Sequence, residues 1–225
     1  WITNGGIDKV PTVHVVVAAV EPELKSRGHA SFVVPPGTPG LSMGQKFSKM
    51  GIRASHTAEV VFNDVRVPIT NCLGEEGQGF IYLMSELPQE RLIVAICGVG
   101  SMELAVDETV AYTKERKAFG KPVFSFQNTR FKLAECQATL MASRALVDAA
   151  MVSHLKGELG VDRAALIKYW ITDNQCKVID ECLQLFGGYG YMKEYVIARL
   201  WADARVQRIY GGTNEIMKEL ASRFL

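Results

Sequence analysis

The sequence predicts an α+β fold, with a small antiparallel β domain over residues 1–72 followed by an up-down α-helical bundle over 73–225. Two patterns carry that expectation. β-branched runs separated by Pro- and Gly-rich turns fill the first third, and after Gly74-Glu75-Glu76-Gly77-Gln78-Gly79 the apolar spacing becomes helical. A third observation is the stretch Ile209-Tyr210-Gly211-Gly212-Thr213-Asn214-Glu215-Ile216-Met217. Its two glycines allow a sharp turn and a close backbone approach to a ligand, and Thr213 and Asn214 are residues that cap a helix start. Such a turn exposes N–H groups at a helix N-terminus, which suits an oxyanion or a polar cofactor edge.

The elements follow in order. Val13 to Val20 and Ser31 to Val34 read as strands, with Pro35-Pro36-Gly37-Thr38-Pro39-Gly40 as turn chemistry after them. Ala58 to Pro68 alternates and then turns, as a strand with one wet face does. A first helical stretch is expected from Gly79 to about Phe119, interrupted at Pro88 and closed by Lys114, Arg116 and Lys117 before Gly120 and Pro122. A second, from about Gln127 to Lys156, carries one apolar row at Phe131, Ala134, Ala138, Met141 and Ala145 and another at Leu133, Leu140 and Val147, which implies burial on more than one side. A third, from Val161 to about Phe186, places Ile167, Ile171, Val178 and Cys182 on one face and stops at Gly187-Gly188. Short helices near Ile197 to Gln207 and Thr213 to Phe224 complete the set.

Composition narrows the function classes. A chain of 225 residues with a formal net charge of +1 and no run of like charge is a poor partner for nucleic acid or anionic membrane surfaces. Cys72, Cys97, Cys136, Cys176 and Cys182 lack CxxC spacing and read as reduced core residues of a cytosolic or matrix compartment. His14, His29, His56 and His154 lack metal-ligand spacing, so no metal is assigned. No apolar stretch is long enough to span a bilayer. The opening Trp1-Ile2-Thr3-Asn4-Gly5-Gly6, without an initiator methionine, reads as the middle of a longer protein.

Taken together, Trp1-Ile2-Thr3-Asn4-Gly5, Arg116-Lys117-Ala118-Phe119-Gly120, Gln184-Leu185-Phe186-Gly187-Gly188-Tyr189-Gly190 and Tyr210-Gly211-Gly212-Thr213 resemble, in order and spacing, the acyl-CoA dehydrogenase family. Glu86-Leu87-Pro88-Gln89-Glu90-Arg91-Leu92 with the Gly-Gly-Thr-Asn-Glu end looks most like its long-chain members. The resemblance implies the middle and C-terminal domains of an FAD-dependent enzyme that removes two hydrogens across Cα and Cβ of an acyl-CoA thioester. A carboxylate takes the α proton and the flavin accepts a hydride. The base must be ionised and close to Cα, and partial burial helps it.

In most relatives that base is a glutamate at the position occupied here by Gly211, which has no side chain. A subset of the family places it on the bundle helix instead, a position that matches Glu90, with Glu86 as the second choice; Glu215 follows the loop too late. Adjacent helix residues point in different directions, so Glu90 and Arg91 do not neutralise each other as a simple pair. Arg91, Gly211 and Gly212 are expected at the substrate. In relatives the N–H at the Gly211 position donates to the thioester carbonyl, a bond that strengthens as enolate charge develops, and the space left by the missing side chain fits a longer acyl chain.

The same resemblance assigns FAD contacts to Trp1 and Thr3 on the strand against the flavin ring, to Arg116 at the pyrophosphate, to Phe119 and Gln127 near the adenosine, and to Thr213 and Glu215. Gln184, Gly187 and Gly188 match a loop that reaches the FAD of a neighbouring subunit, which makes a homo-oligomer, a dimer or tetramer, part of the site. Each assignment has a plainer alternative: Trp1 as a core residue, Arg116 as a cation at a helix C-terminus, Gly187-Gly188 as a helix stop. Electron transfer flavoprotein is the expected acceptor, and the compartment is the cytoplasm in a bacterium or the mitochondrial matrix in a eukaryote. The alternatives in function are a branched-chain or short-chain acyl-CoA dehydrogenase, an acyl-CoA oxidase, or a non-catalytic scaffold of the same fold. Without the N-terminal helical domain that the family carries, weak or no FAD retention is expected.

Overall fold

Antiparallel sheets occupy the beginning of the chain and helices the rest, an α+β arrangement, in a computed structural model that describes residues 5–6 and 12–225 in full and residues 2 and 3 by backbone. Trp1 lies outside the described residues, and of Thr3 only its strand is described.

Strands β1 (Ile2–Thr3), β5 (Ala58–Phe62) and β4 (Leu41–Lys46) form one antiparallel sheet in that order; β2 (His14–Ala19), β3 (His29–Val34) and β6 (Cys72–Leu73) form another. β2 and β3 pair from His14 opposite Val34 to Ala19 opposite His29. In β5 the expected alternation is visible, with Ala58 and Val60 buried and Glu59 and Val61 exposed. β4 had no sequence signal. Its Leu-Ser-Met-Gly-Gln-Lys run lacks β-branched residues, and pairing with β5 is what makes it a strand.

The chain divides into two compact units, Trp1–Glu86 and Leu87–Leu225. The cut falls after residue 72 and inside helix α1 (Gly79–Glu115), because the first turns of α1 belong with the sheets. A Cβ on Gly79 would stand 2.7 Å from the Ala30 carbonyl carbon, and the Glu75 N–H donates to the Tyr82 hydroxyl at 3.2 Å.

α1 runs unbroken for 37 residues through Pro88, where an interruption was expected. Proline removes one ladder hydrogen bond, to the Met84 carbonyl, and the residues around it are half-buried or exposed, so water can take that carbonyl. The helix also stops earlier than expected. Lys117–Ala118 (β7) and Lys121–Pro122 (β8) pair as a two-residue hairpin whose tip, Phe119 and Gly120, has φ of +52° and +80°. Positive φ at both tip residues is the twist such a hairpin needs.

Helices α2 (Gln127–Leu155), α3 (Val161–Leu185), α4 (Val196–Ala204) and α5 (Asn214–Ser222) complete the bundle. Its core joins Leu92, Val99, Met102 and Val106 of α1, Cys136, Leu140 and Val147 of α2, and Ile167, Ile171, Val178 and Cys182 of α3. α1 and α3 cross closely at Gly98, where an added Cβ would lie 2.8 Å from Ile171 Cγ2. Of the two apolar rows on α2, only Leu133, Leu140 and Val147 are buried. Phe131, 57% exposed, Met141, 64% exposed, and the alanines between them face outward, since none of the described residues covers that side. The cysteines are all free; Cys136 and Cys182 are core residues as expected, whereas Cys97 is exposed.

Candidate active site

The turn between the 3₁₀ segment Arg205–Arg208 and α5 is built as its glycines require. Ile209 and Tyr210 donate back to the Val206 carbonyl at 2.8 and 3.0 Å, after which Gly211 and Gly212 adopt φ of +65° and +95°. Thr213 then caps α5, its hydroxyl accepting from the Ile216 N–H at 3.3 Å. The Glu215 carboxyl is held below its ordinary range, first by a hydrogen bond from its own backbone N–H in the first turn.

Two cations hold the carbonyls of this turn. Arg91, only 6% exposed, donates from Nε to the Gly211 oxygen at 3.3 Å, while its Nη1 is buried without a protein acceptor. Lys168 of α3, wholly buried, donates to the Gly212 oxygen at 2.7 Å and to Asn214 Oδ1 at 2.9 Å. Burial brings the Lys168 pKa down to about 8, and the Arg91 charge adds to the fall. Burial likewise lowers that of Arg91, opposed by the charge of Glu90. Asn214 donates in turn to Thr172 Oγ1 and Asp173 Oδ1, both at 2.9 Å, and Asp173 pairs with Arg208 at 2.7 Å. The end of the turn is thereby tied to α3.

Arg91, Gly211, Gly212 and Thr213 are brought together by this arrangement. Glu90 projects from a different side of α1 and is exposed, with no ion pair to Arg91 within 4 Å. Its helix face nevertheless adjoins the turn. A Cβ at Gly211 would meet only Val94 Cγ2, at 3.9 Å, and Cys97 lies near enough to Tyr210 to reinforce the upward shift that burial gives its hydroxyl. Glu90, Val94 and Cys97 are spaced four and three residues apart, one stripe of a helix, and Glu86 extends that stripe by a further turn. The partial burial that a base requires is not supplied to Glu90 by the described residues.

A second group gathers at the other end of α1. The Arg116 guanidinium stands 5.4 Å from the Tyr189 ring, and the Tyr112 hydroxyl donates to the Phe186 carbonyl at 3.2 Å, so the end of α1 and the hairpin meet the 3₁₀ segment Gly187–Tyr191. Phe119, 95% exposed, crowns the hairpin; Gln127 and Gln184 are exposed, and among the described residues beyond their chain neighbours neither Gly187 nor Gly188 has an atom within 4 Å of where a Cβ would stand. Arg116 has no carboxylate in ion-pair range among the described residues. An exposed, unpaired guanidinium beside open glycines fits a diphosphate. At 1.5 Å per residue, Arg91 and the end of α1 are about 36 Å apart along the helix.

Sequence reasoning missed Lys168 and the Asn214 network. The signal was present, since Lys168 falls on the same period as Ala164, Ile171 and Gln175, all buried.

Comparison with known proteins divides the chain between residues 65 and 77. The acyl-CoA dehydrogenase middle-domain family model matches residues 1–65 and the acyl-CoA dehydrogenase C-terminal-domain model matches 77–225. The mitochondrial long-chain specific acyl-CoA dehydrogenase of Mus musculus is 47% identical over 225 residues, covering 99% of this chain and 52% of that protein. The short-chain specific enzyme of Megasphaera elsdenii is 41% identical over 216 residues, 96% of this chain and 56% of that protein. A crystal structure of acyl-CoA dehydrogenase from Geobacillus kaustophilus superposes with a TM-score of 0.92 at 44% identity, covering 94% of this chain and 56% of that one. The chain spans about half the length of the curated relatives it matches.

Proposed function

Because the chain belongs to the acyl-CoA dehydrogenase family, we propose that it serves the FAD-dependent α,β-dehydrogenation of acyl-CoA thioesters, with long acyl chains preferred and Glu90 as the base. The observation that carries this reading is that a side chain on Gly211 would reach Val94, one turn from Glu90 on the same face of α1. A carboxylate at Glu90 then approaches from the helix the space that a side chain on the loop would occupy. When bound, FAD takes the hydride from the β carbon.

The residues of the chain have distinct tasks. Glu90 accepts the α proton onto a carboxylate oxygen, and the bound acyl chain supplies the burial that raises its basicity. The Gly211 N–H donates to the thioester oxygen, a bond that gains strength as negative charge builds there. Arg91 fixes Gly211 from behind through its carbonyl, and its unpaired Nη1 offers a further donor at the site. Arg116, Phe119, Gln127, Gln184, Gly187 and Gly188 would hold FAD at the far end of α1 and Thr213 and Glu215 at the near end. The length of α1 between the two groups exceeds what a single FAD spans, which supports a homo-oligomer whose FAD lies across a subunit boundary, with electron transfer flavoprotein as acceptor. The compartment would be the cytoplasm of a bacterium or the mitochondrial matrix of a eukaryote.

Turnover of the whole FAD-loaded enzyme against acyl-CoAs of graded length tests the reading. Glu90→Gln is expected to lower kcat by roughly 10²- to 10⁴-fold with FAD still bound. Unchanged turnover would transfer the role to Glu86, and a parent enzyme inert on every acyl-CoA would favour a scaffold.

A further inference from the structure

We propose that Lys168 is a positioning residue for this reaction: with Arg91 it clamps the two peptide planes that follow Gly211, and so anchors the Gly211 Cα, beside which the N–H that meets the reacting carbonyl stands. The inference rests on the reaction assigned above.

In a trans peptide the carbonyl and the following N–H lie on opposite edges of one plane. Arg91 holds the Gly211 carbonyl and Lys168 holds the Gly212 carbonyl, the latter at 2.7 Å. The N–H groups of Gly212 and Thr213, on the far edges of those planes, therefore turn away from the two cations, and the Gly211 N–H, one peptide plane earlier, is restrained through the Gly211 Cα that the first clamped plane shares with it. Among the described residues nothing accepts from the N–H of Gly211, Gly212 or Thr213. Two consecutive glycines can adopt many twists, so their own sequence selects none of them. The hydrogen bonds to their carbonyls make the selection.

The partners of Lys168 separate this role from ordinary charge pairing. A buried cation is costly unless it is paired, and Asp173 lies close enough to act on its charge. Lys168 nevertheless forms no ion pair with Asp173 and directs its hydrogen bonds to the Gly212 carbonyl and to Asn214 Oδ1, the residue that follows the turn into α5. Three of the groups it engages or neighbours, Arg91, Gly212 and Asn214, belong to the turn or touch it.

Lys168→Met in the whole FAD-loaded enzyme is expected to lower kcat about 10- to 100-fold while KM moves less than about threefold, the split that lost orientation gives. Thr172→Val is the control. It removes the hydrogen bonds that the Thr172 hydroxyl accepts from and donates to Asn214 but leaves Arg91, Lys168 and the two carbonyls they hold in place, and is expected to lower the melting temperature and leave kcat within about twofold. A parental kcat in Lys168→Met, or an equal fall in Thr172→Val, overturns the proposal. If Lys168→Met does not fold, Lys168→Gln, with a donor on a shorter stem, takes its place under the same criteria. In the chain without cofactor, amide order parameters at Gly211 and Gly212 are expected to fall below about 0.6 in the lysine variant and not in Thr172→Val. Equal values overturn the clamp. A parent that dehydrogenates nothing while those order parameters fall rejects the reaction and keeps the clamp.

Discussion

Lys168 occupies a place where the period of α3 calls for an apolar side chain, and its charge makes stability depend on pH. Its pKa moves from 10.5 unfolded to about 8 folded, so between those values the unfolded chain holds the proton that the folded chain has released. The destabilisation is complete below about pH 8 and fades as the pH climbs to 10.5. Arg91 deepens the shift and Asp173 and Glu215 oppose it. The Tyr112 and Tyr210 hydroxyls, raised by burial, act in the opposite direction as the pH passes their ordinary value. Urea unfolding across this range, compared with Lys168→Met, isolates the contribution: the parent is expected to show the more positive slope of unfolding free energy with pH, and parallel slopes would refute it. This residue was legible in part. Its helical phase could be read from the sequence, but lysine is so seldom fully buried that phase alone argued for a solvent position, and its partner at Gly212 lies 44 residues away. The readable part of the site was local chemistry: two glycines, a capping threonine, and a loop position lacking a carboxylate.

At the level of elements, helix starts and stops were the clearest. α2 and α3 begin and end within a residue or so of their signals, because caps, glycines and periodicity act over a single turn. Pro88 and the β7–β8 hairpin were not readable in the same way. A proline is tolerated where its lost hydrogen bond faces water, and Phe119 at positive φ is fixed by its hairpin, not by its own preference. The outward row on α2 followed helical spacing correctly yet lacks a covering partner among the described residues. Two glycines of α1 offer a direct comparison. A methyl group on Gly100 would have no atom within 4 Å, so Gly100→Ala is expected to stabilise by about 1 kcal/mol through helix propensity. At Gly98 the same methyl meets Ile171, and overpacking of about 1 to 3 kcal/mol offsets or exceeds that gain. Guanidinium unfolding midpoints of the two variants decide it, and equal stabilisation would remove close helix approach as the reason for Gly98.

For the molecule as a whole, the α+β division could be read from the change in periodicity, whereas the separation of the two sets of candidate site residues by the length of α1 required the helix to be continuous. The separation predicts that the two ends fail independently. Arg116→Gln is expected to weaken FAD binding by roughly tenfold or more, since a charged hydrogen bond to phosphate is lost, while Glu90→Gln retains FAD. Fluorescence titration of the stripped enzyme with FAD measures both, and equal affinity for parent and Arg116→Gln would remove Arg116 from the cofactor. The unbroken rod also restricts how such a molecule can change size. Adding one residue to α1 between its two ends would rotate everything beyond it by about 100° and break the Gly98 seam, whereas seven residues restore the phase to within about 20°. The span between the proposed base and the proposed diphosphate site thus changes only by insertions that return the phase, such as seven residues, about 10 Å, or eleven, about 16 Å.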